Sequence, residues 1–88
     1  MKKFTFIAEY KGGTYISQYE ALNLEEALLL WADNLDLQYF TEKVKTRIRH
    51  VVRDKEFPPI ALDSIENVWC FSCTINRSLL LLTIVRTF

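Results

Sequence analysis

The sequence contains few of the residues that interrupt regular structure, with two glycines and two prolines among 88 residues. So small a number leaves little room for flexible linkers or low-complexity segments. Lys and Arg together number 11, as do Asp and Glu, so no global charge bias favours nucleic acid or anionic membranes. Half of the residues are hydrophobic, which is typical of a folded protein, and the length predicts one domain over residues 1–88.

The sequence also lacks a long hydrophobic run. Its most apolar stretch, residues 79–85, is far shorter than the ~20 residues that a membrane-spanning helix needs. The lysine-containing start of the chain is a poor signal peptide, because Glu9 interrupts the apolar residues after a few positions. With two cysteines and no export signal, we expect a cytoplasmic protein.

Residues that carry chemistry are scarce. Cys70 and Cys73 have the spacing of a C-x-x-C motif, but residues three apart on a strand point to opposite faces of the sheet. With His50 as the single histidine, one chain cannot complete a four-ligand zinc site without a carboxylate. The sequence forces no orienting partner near His50, and a general base needs one. We therefore predict no enzyme activity, no cofactor and no metal site.

The most apolar part of the chain, residues 67–88, predicts a β-hairpin. Residues 68–75 and 79–87 are rich in β-branched and aromatic residues, and the dipeptide Asn76-Arg77 links them. Asn tolerates the positive φ of a type I′ turn, and such a turn pairs Ile75 with Ser78. The pairs on the strongly apolar face are then Cys73 with Leu80, Phe71 with Leu82, and Trp69 with Ile84. A shift of one residue would exchange the two faces.

The start of the chain predicts a second hairpin. Apolar and polar residues alternate over residues 4–10, as on a half-buried strand, and residues 14–20 form its partner. Gly12-Gly13 between them is a favourable two-residue turn. It lacks the spacing of a phosphate-binding loop, so we predict no nucleotide site there.

Two helices are predicted in the middle of the chain. Asn23 followed by Glu26 resembles a capping box, and we expect the first helix to end near Asn34. The second helix is predicted over residues 41–55, because apolar residues recur there at helical spacing, and Pro58 is placed to stop it.

These elements predict an α+β two-layer sandwich, a four-stranded antiparallel sheet with both helices on one face, in the order β-β-α-α-β-β. Residues 60–66 are interpreted as the connection into the last hairpin. Because the final strand is apolar on both sides, we expect it inside the sheet, next to the first strand.

The second predicted helix is rich in positive charge. Lys45, Arg49 and Arg53 lie at i, i+4 and i+8 and form a ridge opposite the apolar stripe. We name these three residues the basic ridge, a candidate contact for phosphates or for an acidic protein. The alternative is a solvated helix face balanced by acidic residues that lie beside it, for which the candidates are Glu25, Glu26, Asp33 and Asp36.

Residues 4–32 resemble the opening of HicB-like antitoxins, which have a strand, a glycine-containing turn, a second strand and a helix often written L-E-E-A. Leu24-Glu25-Glu26-Ala27 matches that helix. The Pro-Gly-Cys-type segment that usually precedes the helix is absent, and a second hairpin stands where the family has a DNA-binding domain. The resemblance implies a small bacterial binding protein that neutralises a toxin or confers immunity.

The sheet face that the helices leave uncovered is predicted to be too apolar for a lone monomer, which favours an oligomer or a protein partner. The residues in question are Ile7, Ile16, Val68, Leu81 and Val85. We therefore predict a non-enzymatic protein–protein interaction domain that self-associates as a homodimer, the commonest symmetric assembly. The alternative is a nucleic-acid-binding module that uses the helix over residues 43–55.

Overall fold

The computed structural model describes residues 1–56 and 58–87. It is an α+β structure whose antiparallel sheet has five strands in the spatial order β2-β1-β5-β4-β3. The elements in chain order are β1 Lys2–Tyr10, β2 Gly13–Ala21, α1 Leu24–Asp33, α2 Glu42–Val51, β3 Ile60–Ala61, β4 Val68–Ile75 and β5 Ser78–Arg86.

The prediction of four strands in the order β-β-α-α-β-β is wrong, because part of the predicted connection forms an additional edge strand. Ile60 pairs with Cys70 and Ala61 with Trp69 along the free edge of β4. Two residues are too few to show an alternating pattern in the sequence. They become a strand only because β4 presents unpaired backbone groups beside them.

The hairpin of β4 and β5 has the predicted register. Ile75 pairs with Ser78, and Trp69 pairs with Ile84 at the other end of the same face. Asn76 and Arg77 have φ of 49° and 65°, as the two central residues of a type I′ turn require. The pairing of β5 with β1 confirms that the last long strand lies inside the sheet.

The turn between β1 and β2 lies one residue earlier than predicted. Lys11 and Gly12 carry the positive φ values, and Tyr10 pairs with Gly13, which is the first residue of β2. The ring of Tyr15 lies over Gly13, where a Cβ would collide with it. Glycine at position 13 therefore allows this close approach of the Tyr15 ring. Relative to the pairing that a Gly12-Gly13 turn predicts, the register of β1 and β2 is shifted by two residues.

Both helices begin with a side-chain cap. Asn23 Oδ1 accepts a hydrogen bond from the Glu26 backbone N–H at 2.8 Å, and Thr41 Oγ1 accepts one from Val44 at 3.3 Å. α1 ends at Asp33 with Asn34 as its C-cap, which agrees with the predicted end near Asn34. α2 is shorter than the predicted range of 41–55 and ends at Val51. The Asp54 carboxylate accepts from the Glu56 N–H, a local turn that competes with helical bonding.

The hydrophobic core lies between the helices and one face of the sheet. Alternate residues of β1 and β5 point into it, and the Trp31 ring of α1 stacks on Phe6 with centroids 5.8 Å apart. The buried apolar side chains of the sheet include Phe4, Phe6, Tyr10, Phe71, Ile75, Leu80, Leu82 and Ile84. In residues 1–56 and 58–87, no helix has the length and apolar character needed to cross a membrane.

Candidate interaction surfaces

The sheet face opposite the helices, which we name the open face, carries the apolar residues that the sequence analysis placed there. Ile7 pairs with Ile16 across β1 and β2, and Val68 pairs with Val85 across β4 and β5. Leu81 lies between Glu9 and Ser72 on the neighbouring strands. The most exposed apolar residues of this face are Ile16, Leu79 and Ile60, with 68%, 60% and 71% of their surface accessible.

Polar residues lie between and beside these apolar side chains, among them Thr83 and Ser72 on the inner strands. Gln18 donates a hydrogen bond to the Thr5 hydroxyl at 2.8 Å, and Lys3 lies opposite Glu20 on β2. At the other end of the face, Glu9 pairs with Leu81. The open face therefore combines exposed apolar side chains with polar side chains and with charges of both signs, a composition that protein interfaces also have.

One edge of the sheet is a long strand with no neighbour. All nine residues of β2 pair with β1 on its inner side. Because Tyr10 and Gly13 close the tight turn, the odd-numbered residues of β2 exchange hydrogen bonds with β1. The backbone N–H and C=O groups of Thr14, Ile16, Gln18 and Glu20 therefore face outward. Among the described residues, none of these groups bonds to another backbone segment.

A groove of about 540 Å³, which we name the β2 groove, runs between this edge and the loop of residues 34–40. The Tyr15 ring centroid lies 4.9 Å from that of Tyr39 and 5.1 Å from that of Phe40. Tyr19 also lines the groove, and of the residues that the structure describes, Asp36 is the single charged one in its lining. No local sequence pattern predicts this site, because it depends on a loop that packs beside a strand distant in the chain.

Lys45 and Arg49 of the basic ridge lie on α2, and Arg53 lies in the turn that follows it, so the ridge extends past the helix end. Part of its charge is neutralised. Arg49 Nε lies 3.0 Å from Asp33 Oδ1, and Arg53 Nη2 lies 3.4 Å from the same atom. Arg53 also donates to the Arg49 carbonyl oxygen at 2.8 Å. Lys45 is half-buried and has no ion pair in residues 1–56 and 58–87. Of the acidic residues considered as partners, Asp33 is thus the one beside the ridge.

A second basic cluster lies on another side of α2. Lys43, Arg47 and His50 line a groove of about 560 Å³ together with polar side chains of α2 and of the β4–β5 hairpin. Among residues 1–56 and 58–87, no carboxylate side chain lines this groove. His50 is exposed on α2 and lies in this groove beside Lys43 and Arg47.

The two cysteines point to opposite faces of the sheet, as their spacing predicts. Cys70 pairs with Thr83 on the open face, and Cys73 pairs with Leu80 and packs against the core. Both thiols are free. Burial raises the pKa of the Cys73 thiol, although Arg47 acts in the opposite direction. In the part of the chain that the structure describes, no three His, Cys, Asp or Glu residues come together to hold a metal ion.

Comparisons of the chain with protein-family models, with curated proteins and with solved structures found no significant match. The resemblance of residues 4–32 to HicB-like antitoxins therefore stays a prediction. The strand, turn, strand and helix on which it depends are present as β1, β2 and α1. Such an arrangement of elements describes a local fold and does not by itself assign a family.

Proposed function

We propose that this protein is a non-enzymatic interaction domain that self-associates through the open face of its sheet. The observation that carries the proposal is the exposure of apolar side chains on a face that neither helix covers. Ile16, Leu79 and Ile60 remain mostly accessible there, and the half-buried Leu81 and Val85 lie on the inner strand β5. Contact with a second apolar surface would remove them from water, which is the main favourable term in association.

The size of the open face suits a dimer. Its four long strands have eight or nine residues each. With about 3.4 Å per residue and about 4.8 Å between strands, they present a planar area of roughly 600 Å². Side chains add to that area, and stable interfaces bury from roughly 600 Å² upward per partner.

The charge distribution also favours a second copy as the occupant. Lys3 at the rim is accompanied by Glu9 and Glu20, so the face carries both signs and is not selective for a strongly charged partner. The resemblance of residues 4–32 to HicB-like antitoxins supports the same class of function, in which a toxin or a similar protein is bound. A bound toxin or similar protein would compete with the second copy of this chain for the open face.

Light scattering over a range of protein concentrations tests the proposal. We expect the mass of a dimer for the natural sequence and the mass of a monomer for Leu81→Lys, because two lysines would be buried at the centre of the interface. The lysine faces Glu9 on β1, which helps the variant to fold. Gln38→Lys, in the exposed loop after α1, is the matched control and should remain a dimer. A monomer mass for the natural sequence at every concentration would refute the proposal.

The alternative function, binding of nucleic acid through α2, is supported by the groove of Lys43, Arg47 and His50, which no carboxylate lines. Against it, Asp33 is ion-paired with two of the three basic-ridge residues, Arg49 and Arg53. The net charge of zero also gives the protein no long-range attraction for phosphates. Self-association is therefore the function that we rank first.

A further inference from the structure

We infer that the β2 groove binds an extended peptide segment with a central lysine or arginine, which adds to the sheet as a further strand beside β2. This function is separate from self-association through the open face. It rests on the backbone edge of β2 and on the side chains that line the groove next to it. Peptides are commonly recognised by strand addition, in which the backbone gives affinity and pockets for alternate side chains give specificity.

The edge of β2 is available for pairing along most of its length. Thr14, Ile16, Gln18 and Glu20 direct their backbone groups outward, and the pairing of β2 with β1 continues without a bulge over all nine residues. Natural edge strands are usually protected by proline, lysine, a bulge or a covering element. β2 contains none of the first three, and Glu20 is its one charged residue.

The loop that forms the other wall of the groove is held in place. Phe40 is buried, and its ring stacks on Tyr10 with centroids 5.7 Å apart. The N–H groups of Tyr39 and Phe40 donate to the Asp36 carbonyl oxygen at 3.0 and 2.9 Å. A wall that is already ordered lowers the entropy that a peptide must lose on binding.

The lining of the groove selects a cation. Every second side chain of an added strand would point to the helix side and reach the rings of Tyr15, Tyr19 and Tyr39. The faces of these rings attract a cation, and the Asp36 carboxylate provides the opposite charge. One Asp36 oxygen accepts from the Gln38 N–H, which leaves the other for a ligand.

A second copy of β2 would not supply that cation. The residues that β2 directs to the helix side include Tyr15, Ser17 and Tyr19, none of which is a lysine or an arginine. Self-pairing of β2 would therefore place neutral side chains at the carboxylate. A partner peptide with lysine or arginine can both pair with the backbone edge of β2 and place a cation beside the Asp36 carboxylate.

Amide hydrogen exchange measured by NMR tests the inference, with a synthetic peptide of alternating threonine and valine and a central lysine as the probe. In the free protein, the amides of Tyr15, Ser17 and Tyr19 are protected by β1, and those of Thr14, Ile16, Gln18 and Glu20 exchange fast. The peptide is expected to slow exchange at the amides of Thr14, Ile16, Gln18 and Glu20 and to leave the other three unchanged. Fluorescence anisotropy should show about ten-fold weaker binding when norleucine replaces lysine.

Variants of the protein separate the backbone and side-chain parts of the site. Ile16→Pro removes an outward N–H that β1 does not use, and binding should weaken about ten-fold. Ile16→Thr keeps the N–H and serves as the control for loss of the isoleucine side chain. Asp36→Asn should reduce the preference for lysine over norleucine, since only the tyrosine rings would then attract the cation, while strand addition persists.

Three results would overturn the inference. The first is no saturable binding of the lysine peptide at millimolar concentration. The second is binding that Ile16→Pro leaves unchanged, since the backbone edge would then not be used. The third is protection of the Ile16 and Gln18 amides that grows with protein concentration in the absence of peptide, because a second copy would then occupy the edge.

Discussion

The Tyr10 hydroxyl donates a buried hydrogen bond to the Ile75 carbonyl oxygen at 3.1 Å. Tyr10 ends β1 and Ile75 ends β4, and β5 lies between these two strands in the sheet. The phenol therefore reaches across a strand and joins the first hairpin to the turn of the last one. Burial, with a smaller contribution from Cys73, raises the pKa of the Tyr10 phenol above its ordinary value of 10.0.

Removal of this hydroxyl should destabilise the fold without disturbing its packing. We expect Tyr10→Phe to lower the free energy of unfolding by about 1 kcal/mol, the usual net contribution of one hydrogen bond. Urea unfolding followed by circular dichroism measures the change. An unchanged midpoint would show that the hydrogen bond contributes nothing to stability.

The same residue links stability to alkaline pH. Since the folded-state pKa of Tyr10 lies above 10.0, the folded protein holds this proton more tightly than the unfolded chain does. The resulting stability is complete below pH 10 and is lost as the pH rises through the folded-state pKa. Tyr10→Phe should therefore show a shallower decline of the unfolding midpoint above that pH than the natural sequence.

The thiols of Cys70 and Cys73 should form no mutual disulfide, because they lie on opposite faces of the sheet. Burial raises the pKa of the Cys73 thiol, and Arg47 partly opposes this effect. We therefore expect Arg47→Ala to slow alkylation of Cys73 at pH 8, since less thiolate is present. Mass spectrometry of iodoacetamide-treated protein measures the rate, and Lys43→Ala is the control. Faster alkylation in the Arg47 variant would contradict the prediction.

The turn of the last hairpin holds an arginine in an unfavourable conformation. Arg77 has φ of 65°, where the Cβ of an L-residue is strained and glycine is not. Arg77→Gly is expected to raise the free energy of unfolding by about 0.5–1 kcal/mol. Arg77→Ala removes the same long side chain and keeps the Cβ, so it should give no such gain. Thermal unfolding of the three proteins compares them, and equal stability of the glycine and alanine variants would contradict the prediction.

The basic ridge is expected not to bind nucleic acid in the natural protein, because Asp33 neutralises part of its charge. Three phosphate contacts would give a slope of about 3 in log affinity against log salt, at ~0.9 per contact for duplex DNA. Fluorescence anisotropy with labelled DNA and RNA at several salt concentrations measures the affinity and this slope. Saturable binding with that slope, lost when Lys45, Arg49 and Arg53 are changed to glutamate, would reverse the order of the two proposed functions.

Charge reversal in the second basic cluster identifies where any binding of nucleic acid occurs. Lys43→Glu with Arg47→Glu leaves the basic ridge intact and reverses charge in the groove that these residues line. Loss of binding in this variant alone would assign nucleic acid to that groove instead of the basic ridge.

Local elements of the fold were predictable because neighbouring residues decide them. Asn76-Arg77 fixed the register of the β4–β5 hairpin, since a two-residue turn leaves one way to pair the flanking strands. Asn23 marked the start of α1, because its side chain bonds to the N–H of Glu26 three residues later. The alternation of apolar and polar residues likewise identified the faces of β1 and β2.

The amino-acid sequence by itself thus determined the long strands, the two helices and the apolar open face, since these follow from periodicity and from caps and turns. Only the tertiary structure decided the pairing of β3 with β4, the ion pairs of Asp33 with the basic ridge, and the β2 groove. Each of these joins residues far apart in the chain. Their meeting depends on how the helices and the loop of residues 34–40 pack on the sheet, and no local pattern records that packing.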